Sequence, residues 1–72
     1  MNKYELNVNN ATIICNGVSE YSAMKNIGIF QDVCNLINYV KTSEDSNMHD
    51  AWIYRVELNN KITLAYIKRI DQ

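Results

Sequence analysis

A chain of 72 residues has room for one hydrophobic core and buries only about 60% of the surface that its unfolded form exposes, so a disulfide, a metal or a partner subunit is a natural supplement to its stability. Its 47% hydrophobic and 21% charged residues exclude the disordered class, whose chains are poorer in apolar side chains and carry more net charge. A net charge of −1 gives the molecule as a whole no pull on nucleic acid or an anionic membrane, which leaves only a local patch for either.

Residues 3–8, K-Y-E-L-N-V, alternate strictly, with Tyr4, Leu6 and Val8 on one face, and predict a half-buried strand. Residues 11–16, A-T-I-I-C-N, predict a second. With Asn9-Asn10 as a two-residue turn, Val8 pairs with Ala11, Leu6 with Ile13 and Tyr4 with Cys15, and the apolar side chains share a face.

Residues 19–42 have helical character. Placed at 100° per residue, Ile27, Phe30, Val33, Cys34, Ile37 and Val40 share one arc while Lys25, Gln31, Asp32, Asn35 and Asn38 share the other. Ser22 and Asn26 interrupt the apolar arc, and Gly28 costs about 1 kcal/mol relative to Ala inside a helix. The segment therefore reads either as one continuous helix or as one broken near Gly28, with Ser19 or Ser22 as N-cap. Residues 42–50, T-S-E-D-S-N-M-H-D, read as a polar loop.

The last segment is again a hairpin. Trp52, Tyr54, Val56 and Leu58 alternate with Ile53, Arg55 and Glu57; beyond Asn59-Asn60, Ile62, Leu64 and Tyr66 alternate with Thr63, Ala65 and Ile67. A two-residue turn would put Ile62, Leu64 and Tyr66 on the face opposite Trp52 and Tyr54. A three-residue loop, Asn59-Asn60-Lys61, or a bulge keeps all of these residues together and is the expectation. The fold class that results is α+β: a small antiparallel sheet of two hairpins in ββαββ order, with one helical segment packed on one face, in a single domain of residues 1–72.

Chemistry is sparse. Cys15 points toward the expected core and Cys34 lies on the apolar arc; outside any CxxC spacing, both read as inert buried thiols of a reducing compartment. His49 is the single histidine, and no nucleophile, base and orienting group fall together, so no catalytic residue is assigned. Glu44, Asp45, His49 and Asp50 have metal-ligand atom types without metal-ligand spacing, and Gly17 and Gly28 form no phosphate loop; no metal or cofactor is expected. Neither a signal-peptide pattern nor a membrane-length apolar run is present, which points to the cytoplasm.

Two surfaces are candidates for a partner. On the face away from the helix, Ile14, Ile53, Ala65 and Ile67 would project beside Arg55 and Arg69, an apolar patch rimmed by guanidinium groups; scattered surface isoleucines, or a bulge that turns Ile67 inward, are an alternative of equal weight. The acidic loop of Glu44, Asp45, His49 and Asp50 would suit a basic groove, against a merely solvated loop. A nucleic-acid module would use Arg55, Lys61, Lys68 and Arg69 with Trp52, Tyr54 and Tyr66 as stacking rings, but the expected register places those rings under the helix.

In size, in its proline-free and Asn-, Ile-, Lys- and Tyr-rich composition, and in its sheet-plus-helix arrangement, the chain resembles small phage-encoded anti-defence proteins, anti-CRISPR proteins among them. The resemblance is architectural and transfers no residue. It implies a non-catalytic inhibitor that sterically blocks a larger protein or ribonucleoprotein effector. A nucleic-acid- or nucleotide-binding module and an immunity protein or antitoxin are the alternatives, and association with a second copy is compatible with each.

Overall fold

The computed structural model describes residues 1–44 and 47–71, apart from the side chains of residues 34, 42–44 and 47. In chain order the elements are β1 (Asn2–Val8), β2 (Ala11–Gly17), α1 (Glu20–Asn26), β3 (Asp32–Glu44), β4 (Asn47–Leu58) and β5 (Lys61–Arg69). All five strands form one antiparallel sheet in the order β2-β1-β5-β4-β3, so β5 is central and β1 joins the N-terminal hairpin to it. The sheet curls into a half-barrel with the short helix on its inner side.

The first hairpin has the expected register, with Val8 opposite Ala11, Leu6 opposite Ile13 and Tyr4 opposite Cys15. Asn9 and Asn10 both take positive φ, 49° and 66°, the twist that matches a two-residue turn to its flanking strands. The same device closes the last hairpin. Asn59 and Asn60 have φ of 53° and 64° and Leu58 faces Lys61, so the three-residue loop or bulge expected there is replaced by a two-residue turn. Gln31 holds that turn from outside: Asn60 N–H donates to Gln31 Oε1 at 2.6 Å and Gln31 Nε2 donates to Asn60 Oδ1 at 2.7 Å.

The expected helix over residues 19–42 is corrected most. Only Glu20–Asn26 is helical, and Asp32–Glu44 is a strand, giving ββαβββ in place of ββαββ. Ser19 is the N-cap, its hydroxyl accepting from Ser22 N–H at 3.2 Å. Gly28, at φ +70°, ends the element with its N–H donated to the Lys25 carbonyl at 3.2 Å. Past that stop, Val33, Ile37, Tyr39 and Val40 favour a pleated strand, and β4 supplies a ladder along the whole of it.

The strand breaks register between Val33 and Asn35 and again between Leu36 and Asn38. Each extra residue shifts the alternation by one, so the residues opposite β4's core-facing row are Val33, Leu36 and Tyr39, a row that shares only Val33 with the expected arc of Val33, Cys34, Ile37 and Val40.

The core lies between α1 and the inner sheet face. Tyr4, Leu6 and Val8 of β1, Cys15 of β2, Val33 of β3, Tyr54 and Val56 of β4, and Ala65 and Ile67 of β5 are buried together with Ala23 and Met24 of α1. Close approach of the helix requires Gly17: a Cβ there would lie 2.5 Å from Ala23 N and 2.8 Å from Ala23 Cα. Trp52 packs on the margin of this core, its ring 6.0 Å from Tyr4 and 5.7 Å from Tyr39. No helix of the described residues is long and apolar enough to cross a membrane.

Candidate functional site

The two-residue turn at Asn59-Asn60 decides what the outer face displays. Because Leu58 faces Lys61, the cross-strand pairs Glu57 with Ile62, Arg55 with Leu64, Ile53 with Tyr66 and Ala51 with Lys68 all point away from the helix, while Thr63, Ala65 and Ile67 turn inward. Ile62, Leu64 and Tyr66 thus form an apolar row along the central strand, 58%, 43% and 49% exposed. Val40, itself exposed, lies beyond Ala51 on β3. Between these residues runs a shallow groove of about 230 Å³ lined by Val40, Ala51, Ile53, Tyr66 and Lys68. It opens beside a wider polar depression of about 670 Å³ walled by Asn7, Asn9, Asn10, Thr63, Leu64 and Tyr66.

The expected sheet-face patch is therefore partly reassigned. Ile14 and Arg55 are exposed on this outer face and Ile53 is half-buried there. Ala65 and Ile67 are core residues, turned inward by the shorter turn. Arg69 faces Tyr4 across the β1–β5 pair and so leaves the patch; its Nε donates to Asp71 at 2.8 Å, which holds the Asp71 carboxyl below its ordinary range. The row Ile62, Leu64 and Tyr66, assigned by sequence to the helix side, takes the vacated place. Tyr66 moves with it, so one of the three rings excluded from stacking lies in the open, whereas Tyr54 and Trp52 remain on the helix side. The missed signal was the Asn59-Asn60 pair itself, a second copy of the Asn9-Asn10 turn.

Charges are mixed on the outer face. Lys68 meets Glu5 at 3.8 Å, and Asp32 stands opposite Glu57 across the β3–β4 pair. Arg55 and Glu57, two residues apart on β4, form no ion pair among the described residues.

The expected acidic loop is mostly strand. β3 extends to Glu44 and β4 begins at Asn47, so His49 and Asp50 belong to β4; Asp45 and the side chain of Glu44 lie outside the described residues. His49 is buried. Asp50 accepts from the Tyr39 hydroxyl at 2.7 Å and meets Lys41 Nζ at 3.4 Å, which ties the carboxylate to β3 instead of presenting it on a loop. Cys15 is a buried free thiol whose pKa is raised by desolvation; the side chain of Cys34 lies outside the described residues.

On the inner side the buried Tyr54 hydroxyl donates to Glu20 Oε2 at 2.6 Å, fastening the first turn of α1 to β4. Desolvation, and then the hydrogen bond to Glu20, push this phenol far above its ordinary value of 10.0. A folded-state pKa raised in this way gives stability that is fully present below the unfolded pKa and is lost as pH climbs beyond it, because the unfolded chain ionises first. Urea midpoints are therefore expected to fall as pH rises above 10.0, and to fall less steeply in Tyr54→Phe. Equal slopes for the two proteins, followed by circular dichroism, would count against the Tyr54–Glu20 link.

Comparison with known proteins finds no matching family model, no matching curated protein and no matching solved structure.

Proposed function

We propose that this chain is a non-catalytic protein-binding domain that docks a larger protein on the outer face of its sheet and acts sterically, by covering the surface it occupies. The observation that carries this reading is the apolar row Ile62, Leu64 and Tyr66 on the central strand. These side chains stand on a strand paired to β4 along the whole row and to β1 as well at Tyr66, so ordering them on contact costs little entropy. Aromatic and arginine anchors such as Tyr66 and Arg55 are the side chains that dominate binding energy at interfaces. The groove between Val40, Ile53 and Tyr66 gives a partner's side chain a place to insert.

The test uses the whole chain as bait in lysate of its host cell, with Leu64→Asp as comparison. Leu64 is exposed, so the variant should keep the wild-type circular dichroism spectrum and melting temperature while losing the captured protein. Retention of the same partner by folded Leu64→Asp would place the binding surface elsewhere. A captured species that absorbs near 260 nm, and is released steeply as salt rises, would instead assign Tyr66, Arg55 and Lys68 to a nucleic acid. Glu5, Asp32 and Glu57 on the same face argue against that outcome.

A further inference from the structure

Four side chains at the heart of the outer face form a block with a symmetry of its own. Arg55 lies beside Leu64 at one level of the sheet, and Glu57 lies beside Ile62 at the next. Turn a second copy over this block about an axis in the plane of the face, perpendicular to the strands and midway between the two levels. Arg55 then meets the second copy's Glu57, and Leu64 meets its Ile62. By the same rotation each contact occurs twice, which is the requirement of an isologous two-fold interface.

We propose that in the absence of its larger partner this face is closed by a second copy of the chain, through reciprocal Arg55–Glu57 pairs around an apolar centre of Ile62 and Leu64. The inference rests on the reading of the outer face as a binding surface and adds a regulation to it: the larger partner binds by displacing the second copy. Two observations favour self-association here. Arg55 and Glu57 have no ion-pair partner among the described residues of their own chain. The row to be covered is also exposed along its whole length.

Size sets the strength. The outer face is the convex side of the curled sheet, and β1 flanks β5 only from Tyr66 onward, so the rotation overlays β3, β4 and β5. Three strands about 4.8 Å apart and about seven residues long at about 3.3 Å each make roughly 330 Å² per copy, or roughly 670 Å² for two, which belongs with weak, exchanging contacts. The fold stands without it: the accessible surface of 4497 Å² is close to the roughly 4,600 Å² expected of a folded monomer of this mass.

Sedimentation equilibrium up to near-millimolar concentration tests the proposal, with circular dichroism confirming that every variant is folded. Wild type is expected to be a concentration-dependent dimer. Arg55→Glu and Glu57→Arg each set like charges against like at both contacts, and each alone should weaken the dimer by more than about tenfold. An equal mixture of the two should recover the dimer, because one variant then presents two acids and the other two bases. A wild-type monomer throughout the range, a dimer indifferent to either reversal, or a mixture that stays monomeric would each overturn the proposal. The binding reading is decided separately by capture with Leu64→Asp: loss of capture alongside a monomeric wild type removes the self-association alone.

Discussion

Leu6→Ala is expected to lower the unfolding free energy by about 3 kcal/mol, within the range of buried leucine truncations. Leu6 is fully buried on β1, in a strand flanked by β2 and β5. Its neighbours are held by ladders on both sides and cannot collapse into the space left behind. A domain of this length has roughly 4–11 kcal/mol in total, so one truncation removes a large part of it. The melting temperature should fall by well over 10 °C at about 4–8 °C per kcal/mol. Urea unfolding followed by Trp52 fluorescence checks this; a loss below about 1 kcal/mol would mean that Leu6 is not packed as described.

Gly17→Ala is expected to cost about 2–3 kcal/mol, as overpacking does where the obstructing atoms cannot rotate away. The atoms a new Cβ would strike, Ala23 N at 2.5 Å and Ala23 Cα at 2.8 Å, are backbone, so α1 must lift from β2. The signature is spatially confined. Amide chemical shifts of α1, of the end of β2 and around Tyr54, whose hydroxyl holds Glu20, should move and their exchange quicken, while the turns at Asn9-Asn10 and Asn59-Asn60 keep their wild-type shifts. An alanine variant as stable as wild type would show that the helix sits farther from β2 than this geometry places it.

Legibility in the sequence followed how faithfully alternation survives. In the β1–β2 hairpin, β1 alternates without a break and a turn of matching parity carries its facing to β2, and the whole register could be read. In β4–β5 the strands were legible and their relative facing was not. The second strand is apolar on both sides, with Ile62, Leu64 and Tyr66 on one and Ala65 and Ile67 on the other, so hydrophobicity alone favours neither register. The φ preference of two asparagines settles it instead. Choosing the register that buried the larger side chains assumed that large residues belong inside. On β5, Ala65 and Ile67 fill the core, and Ile62, Leu64 and Tyr66 remain outside.

For β3, two bulges break the period of two, so no strand alternation was there to be read, and the spacing of Val33, Cys34, Ile37 and Val40 matched a helix face instead. Helix propensity carried the contrary signal, since β-branched residues, asparagines and Gly28 dominate that stretch. The candidate site followed the same logic. Ile14, Ile53 and Arg55 sit on strands whose facing was read correctly, whereas Ala65 and Ile67 inherited the error made at the last turn. The acidic loop lost its contiguous form because β3 and β4 run on to Glu44 and Asn47.

The strand order also constrains when the molecule can assemble. β1 reaches the rest of the sheet only through β5, by pairs that run from Asn7 with Tyr66 to Tyr4 with Arg69. Without β5 the sheet is two separate ribbons, β1–β2 and β3–β4, each of a kind that is barely stable alone in water. Closing so long a loop comes late and slowly. Pairing of β5 with β1, not formation of the first hairpin, is the step that makes the sheet one piece.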